Sequence, residues 1–267
     1  MVDIDMVVVN YKTYGLMRKF LRTLEKYPPQ TTEWNLAVVD NESDLDQLQG
    51  LKDSFIAHSY YGLDTNVGYA RACNFGASLG EAKYIALLNS DLEFVNSTCV
   101  DMCVQFLEDN PDVGIVGPLQ YTTQQGGGRK ITHAGIFGPG SQPKHRGWLA
   151  AWDGKRFTDN SECLMISGSA MFIRREAWNA VMEDGVFRKH YPNALGAMPE
   201  HPLYYEDTAL CYAMPKFGYK VYVCGEPGFE LIHQWHKTIG SSGETTHFKT
   251  SQRMFRELMD DWGIEHD

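Results

Sequence analysis

Tyr84-Ile85-Ala86-Leu87-Leu88-Asn89-Ser90-Asp91 decides how this chain is read. An unbroken apolar run stops at three polar residues. Such a run suits a strand buried on both faces, as strands of parallel sheets are. In those sheets ligands bind just beyond the carboxyl ends of the strands. Asn89, Ser90 and Asp91 fall at that point. Asp91 has the chemistry to hold Mg²⁺ or Mn²⁺, hard cations that take oxygen ligands and need few protein groups beside a diphosphate. The alternative is a helix cap, but the next helix signal begins only near Ser97.

The flanking segments repeat the pattern. Met6 to Val9 is a β-branched apolar run that ends in Asn10-Tyr11. Leu16, Met17, Phe20, Leu21 and Leu24 recur at helical spacing, and Pro28-Pro29 stops that helix. Leu36 to Val39 predicts a second strand, ending in Asp40-Asn41. Ser43 with Asp46 can cap a short helix, and Phe55 to Ser59 reads as a weaker third strand. Tyr69 to Leu79 and Thr98 to Asn110 predict helices, and Val113 to Val116 another strand. This alternation indicates βαβ units and a mostly parallel sheet.

The strand ends carry the first candidate residues. Asp40 can accept hydrogen bonds from a base or a ribose, or serve as an ordinary turn residue. Asn66-Val67-Gly68-Tyr69-Ala70-Arg71 opens a helix after a polar loop. Gly68 lets backbone approach a ligand, the helix start favours an anion, and Arg71 adds positive charge.

The second half differs in texture. Residues from about Tyr121 to Asn160 are rich in Gly, Pro, Gln and Trp and show little periodicity, as functional loops do. Trp148, Trp152, Tyr121 and His145 offer aromatic faces for a sugar ring, or belong to the core. Met165 to Arg174 predicts a strand, Glu176 to Val181 and Glu206 to Phe217 helices, and Lys220 to Cys224 a strand. Phe248, Ser251, Phe255, Leu258 and Trp262 share one face of a terminal helix, after a flexible Gly240-Ser241-Ser242-Gly243 loop.

Tyr204-Tyr205-Glu206-Asp207 puts two acids at a helix start, where they can simply complement the dipole. The adjoining tyrosines imply a partly buried site, in which a carboxylate becomes a usable base. His233 follows an apolar strand-like stretch, and its imidazole suits Mn²⁺ better than Mg²⁺. His236 lies three residues on, so in an extended segment only one of the two faces the metal.

Composition narrows the classes. The chain has 267 residues and a hydrophobic fraction of 43%, enough for one large α/β domain or two small ones. A formal charge of −10 argues against a nucleic-acid partner. No apolar run approaches the roughly 18 residues of an integral membrane segment. The six cysteines form no CxxC pair and read as reduced thiols of a cytoplasmic protein; zinc spacing is lacking.

Taken together, VVVNYK (Val7 to Lys12), VVDNES (Val38 to Ser43), NVGYARACNFG (Asn66 to Gly76), LLNSD (Leu87 to Asp91), SGSAMFIRREAW (Ser167 to Trp178), YYEDTALC (Tyr204 to Cys211) and IHQWH (Ile232 to His236) resemble the inverting family 2 glycosyltransferases. The rhamnosyltransferase-like branch is the nearest in flavour. The resemblance implies a GT-A fold, a Rossmann-like, mostly parallel sheet flanked by helices. It implies a nucleotide-sugar half over residues 1–120, an acceptor-binding and catalytic half over 121–236, and a loop and C-terminal helix over 237–267. The donor would be a nucleotide-diphosphate sugar, of UDP or dTDP type, with Mn²⁺ or Mg²⁺. The acceptor would be a hydroxyl of a glycan, protein or small molecule.

Residue by residue, Asp40 would contact the base, and Asn66 and Gly68 would line the nucleotide pocket. Asn10, Tyr11, Asn41, Arg71, Asn89 and Ser90 are the donor-side candidates around them. Asp91 would hold the metal and His233 complete its site. Asp207 would be the general base, with Glu206 beside it to orient the acceptor. The pattern departs at Ala209, where an acid is usual, and at Pro215, which interrupts the helix.

Two rivals remain. A nucleotidyltransferase needs a Gly-rich basic loop after the first strand, which Asn10-Tyr11-Lys12-Thr13 does not provide. A non-catalytic binding protein on a degenerate fold would not need Asp91, Asp207 and His233 together.

Overall fold

The apolar runs become strands of one large sheet. In the computed structural model, residues 2–124, 127–234 and 244–266 are described. The first half runs β1 (Ile4–Asn10), α1 (Tyr14–Lys26), β2 (Trp34–Asp40), α2 (Leu45–Ser54), β3 (Ser59–Gly62), α3 (Tyr69–Ala77), β4 (Tyr84–Asn89), β5 (Leu92–Phe94), α4 (Cys99–Asp109) and β6 (Val113–Pro118). Then come β7 (Gln120–Thr123), β8 (Arg129–His133), β9 (Ile136–Phe137), β10 (Lys144–His145), β11 (Asn160–Glu162) and β12 (Ala170–Arg174). The chain continues through α5 (Arg175–Glu183), α6 (Gly185–His190), α7 (Glu206–Ala213), β13 (Lys220–Cys224), β14 (Leu231–His233) and α8 (Glu244–Trp262).

The main sheet has eight strands in the order β11-β13-β6-β12-β4-β1-β2-β3. β3, β2, β1 and β4 are parallel neighbours, and β6 and β13 pair in parallel. β12 runs antiparallel between β4 and β6, and β11 antiparallel to β13. Strands from both halves of the sequence therefore share one sheet.

Alternate residues of the central strands feed two cores. Val7, Val9, Ile85 and Leu87 join Trp178, Phe187 and Phe255 on one face. Met6, Val8, Tyr84, Ala86 and Leu88 join Phe20 and Phe94 on the other. Both faces need apolar side chains, so the strands read as unbroken runs. At the end remote from the site, Arg175 Nη2 pairs with the buried Asp5 at 2.7 Å and ties α5 to β1.

Several expectations are corrected. The third strand begins at Ser59, and residues 55–58 are connector. The cap of α2 is Asp44, whose carboxylate accepts from the N–H groups of Asp46 and Gln47; Ser43 turns instead to Asp40. The strand expected from Met165 starts at Ala170, because residues 167–169 make a turn. Pro215 ends α7 at Ala213 and begins a 3-10 turn, Met214–Phe217. The stretch from Tyr121 to Asn160 is not loop throughout. β7 and β8 combine with β5 and β14 in a second sheet, ordered β5-β14-β7-β8.

Candidate active site

That second sheet builds the metal-side corner. β14 pairs antiparallel with β5 so that His233 lies opposite Leu92. The pairing brings His233 beside Asp91, residues far apart in sequence. His233 Nε2 stands 3.4 Å from Asp91 Oδ1. Asp91 Oδ1 is buried and has no hydrogen-bond partner among the described residues. A buried carboxylate oxygen left unpaired is costly and asks for a ligand. Neighbouring ligands of an ion bound at roughly 2.1 Å lie about 3 Å apart, so this pair fits a small divalent cation. No group of three His, Cys, Asp or Glu side chains is assembled among the described residues. The Gln234 amide, one residue on, donates to Glu93 and its backbone N–H to the Asp91 carbonyl, which secures the strand.

The other strand ends lock together. Asn10 Nδ2 donates to Asp40 Oδ1 at 2.7 Å, while Tyr14 Oη and Ser43 Oγ each donate to Asp40 Oδ2 at 2.7 Å. Asp40 has no exposed surface, so it frames the cleft from behind. Thr13 Oγ1 donates to Asn10 Oδ1 at 2.9 Å and lies 3.0 Å from Ser90 Oγ, linking the ends of β1 and β4. Asn41 Nδ2 donates to Asn66 Oδ1, and the Val67 N–H donates to Asn41 Oδ1, both at 2.8 Å. Gly68 caps α3 at φ 88°, a conformation that favours glycine, and no side chain caps the helix start. Tyr11 and Asn66 are exposed at this edge, and Asn89 is half-buried. Arg71 is exposed, and its charge is met by Glu200 at 2.7 Å.

The acid pair stands at the start of α7. Tyr204 (φ 65°) and Tyr205 (φ 68°) are both left-handed immediately before α7. For bulky residues this is strained, and such strain concentrates at functional sites. Asp207 Oδ2 accepts from the Gly168 N–H at 2.7 Å, and Oδ1 accepts from the Thr208 N–H at 2.7 Å. Glu206 Oε2 is buried without a hydrogen-bond partner among the described residues. Burial raises both carboxyls above their ordinary range, and repulsion from Asp207 raises Glu206 further. The two N–H donors favour the charged form of Asp207, and the lack of a partner among the described residues favours the neutral form of Glu206.

A pocket of about 330 Å³ joins these parts, lined among others by Asp207, Thr208, His233, His133 and Ser167. Asp207 is the one carboxylate in that lining among the described residues. Burial lowers His133 to about 3, so it stays neutral, and its Nε2 accepts from the Ser167 N–H at 3.2 Å. Trp148, Tyr204 and Phe248 border the pocket and are partly exposed. His145 lies beside Trp148, with ring centroids 5.0 Å apart. Tyr121 and Trp152 lie elsewhere: they are buried, 4.4 Å apart by ring centroid, in a small core under the Arg129 guanidinium. The four aromatic candidates thus divide into two lining residues and two core residues. Ala209, where an acid was expected, is buried in the main core, which has no room for a charge.

The residues that sequence reasoning left without a role are Gly168, Thr208 and His133. Gly168 carried a signal, a glycine between two serines at the start of a strand. A Cβ there would lie 3.0 Å from Asp207 Cβ and 3.1 Å from its Oδ2, so a side chain at this position would push Asp207 back from the N–H by a few tenths of an ångström. His236 and the Gly240-to-Gly243 loop lie outside the described residues.

Comparison with solved structures agrees with this layout. A GalNAc-T7 structure with UDP, GalNAc and Mn²⁺ superposes with a TM-score of 0.66 at 15% identity, covering 97% of this chain and 48% of that one. The mannosyltransferase PcManGT from Pyrobaculum calidifontis, in complex with GDP-Man and Mn²⁺, gives a TM-score of 0.56 at 12% identity, covering 88% of this chain and 57% of that one. The chain thus spans about half the length of the proteins it superposes on. At these identities the likeness is one of fold, the GT-A fold. Comparison with curated sequences finds no match. No helix among the described residues is long and apolar enough to cross a membrane. The sequence matches Glycosyl transferase family 2 over residues 5–181, and the chain belongs to that family of glycosyltransferases.

Proposed function

We propose that this chain transfers a sugar from a nucleotide-diphosphate donor to a hydroxyl acceptor, with inversion, using a divalent cation at Asp91 and His233. The observation that carries the reading is the placement of Asp207. Its carboxylate lines the same pocket as His233, the neighbour of Asp91. Both structural neighbours were solved with Mn²⁺ and a nucleotide or nucleotide sugar, which supports the same ligand classes here.

The nucleotide lies over the locked strand ends. Tyr11, Asn66 and Asn89 face it, Asn10, Asn41 and Ser90 support them, and Asp40 fixes the frame. The start of α3 at Gly68 presents backbone N–H groups to the donor. UDP or dTDP is the expected nucleotide. A divalent cation, Mn²⁺ or Mg²⁺, neutralises charge gathering on the departing diphosphate. Asp207 takes the acceptor's hydroxyl proton as that oxygen attacks the anomeric carbon. Burial raises the basicity of Asp207, and the Gly168 and Thr208 N–H donors oppose that rise and hold the carboxylate in place. One base and a direct in-line displacement give inversion, whereas a glycoside hydrolase needs two carboxylates flanking the bond. Neutral Glu206 can donate to an acceptor hydroxyl. The aromatic faces of Trp148, Tyr204 and Phe248 suit a pyranose ring, so a glycan acceptor is preferred to a peptide or an aliphatic alcohol.

The test is product analysis with UDP-, dTDP- and GDP-sugars across a glycoside panel, with Mn²⁺ or EDTA. One donor is expected to turn over only with metal, giving the inverted anomer. Asp207→Asn should lower the rate by about 10³-fold while leaving donor affinity in place. A retained anomer, or full activity in Asp207→Asn, refutes the mechanism.

A further inference from the structure

We propose that Tyr69 is a positioning residue that fixes the Gly168 peptide against Asp207 and so ties the helix facing the donor to the base. The proposal rests on the reading of Asp207 above. Tyr69 is the first residue of α3, directly after Gly68. Its hydroxyl leaves the helix and donates to the Gly168 carbonyl at 2.8 Å. The N–H of that glycine donates to Asp207 Oδ2 at 2.7 Å. Two hydrogen bonds therefore connect the donor-side helix start to the base.

The turn is held at its other corners by different groups. The Ser167 N–H donates to His133 at 3.2 Å, Ser169 Oγ donates to Gln120 Oε1 at 2.7 Å, and the Asn89 N–H donates to the Ser169 carbonyl at 2.8 Å. These fix the ends of the turn. Tyr69 fixes the middle, where the two peptide planes meet at a residue with no side chain to steady it. Phenylalanine at this position keeps the ring and its packing and removes only the hydroxyl. The 168–169 peptide that carries the Gly168 carbonyl then gains freedom to turn, and through the unhindered φ and ψ of the glycine the preceding peptide, whose N–H faces Asp207, loses aim. A carboxylate with a weaker donor is a stronger base but a less well-placed one.

The titratable groups around Asp207 are few. Glu206 is beside it, Tyr69 and Cys73 belong to α3, Cys211 lies one turn along α7, and His133, His145, His233, Tyr204 and Tyr205 line the shared pocket. Burial raises Tyr69, Cys73 and Cys211 and lowers His133, so all four stay neutral.

The experiment is a carboxyl ¹³C titration of the full chain labelled at aspartate, with the Asp207 signal assigned by Asp207→Asn. In Tyr69→Phe the Asp207 midpoint should rise by about half a unit or more. In parallel, kcat should fall by about tenfold with donor KM unchanged. An unmoved or lowered midpoint overturns the proposal, whatever the activity does. A raised midpoint that the acid limb of the kcat profile does not follow leaves the Tyr69 link standing and removes Asp207 as the base.

Discussion

Asp91 Oδ1 and His233 Nε2 lie 3.4 Å apart, held there by the antiparallel pairing of β5 with β14. The carboxylate is buried and the oxygen that faces the imidazole has no other partner. Asp207, held by the Gly168 N–H, lines the same pocket as His233. The proposed reaction places the cation and the base at that one pocket.

Gly168→Ala tests how closely the base must be held. The added Cβ meets Asp207 Cβ at 3.0 Å, and the carboxylate must give way. A displacement of that kind should lower kcat by about tenfold to a hundredfold. The melting shift produced by nucleotide and Mn²⁺ should stay as in the wild type. Steady-state kinetics beside a thermal-shift titration separates the two, and an unchanged kcat would remove the tight contact from the mechanism.

Glu206→Gln tests the protonation of the pair. The folded-state pKa of Glu206 is raised by burial and then by Asp207. A raised pKa means the folded state binds the proton more tightly, so its stability contribution is present at low pH. That contribution is lost as pH rises from the ordinary carboxylate range through the raised folded value. Glutamine does not ionise, so the variant's Tm should fall less than the wild type's between acid and mildly alkaline pH. Parallel Tm–pH curves for the two proteins would count against a neutral Glu206.

Trp148→Ala and Trp152→Ala should separate cleanly. Trp148 is 38% exposed at the pocket, whereas Trp152 is 8% exposed inside a small core. The first should raise acceptor KM by about tenfold with little change in Tm. The second should lower stability by about 3 kcal/mol, the usual cost of truncating a buried tryptophan. Denaturant titration and acceptor kinetics on both variants check this; a stable Trp152→Ala with weakened acceptor binding would reverse the assignment.

What the sequence discloses follows from run length and periodicity. β1, β2, β4 and β6 were legible because each is a run of apolar residues closed on both faces. Their ends located Asn10, Asp40 and Asp91 before any coordinates. The second sheet was not legible, because β5, β7 and β14 have only three, four and three residues. Such strands are too short for alternation to show. Their pairing partners are distant, which is also why the meeting of Asp91 with His233 could be expected only through a family resemblance. The pairing of Arg71 with Glu200 was not legible either, because the two are remote in sequence. Tyr121 and Trp152 resembled sugar-stacking aromatics until the Arg129 guanidinium and their own ring contact accounted for them.

The central claim is that Asp91 holds the cation through which a nucleotide diphosphate is bound. The direct measurement is the melting temperature of wild type and Asp91→Ala with UDP, dTDP or GDP, each in Mn²⁺ or EDTA. A ligand that binds only the folded state at a hundred times its Kd adds about 2.7 kcal/mol. The account predicts that one nucleotide raises the wild-type Tm only when Mn²⁺ is present, and that Asp91→Ala abolishes the shift. Equal metal-dependent shifts in wild type and variant, or none in either, would contradict it.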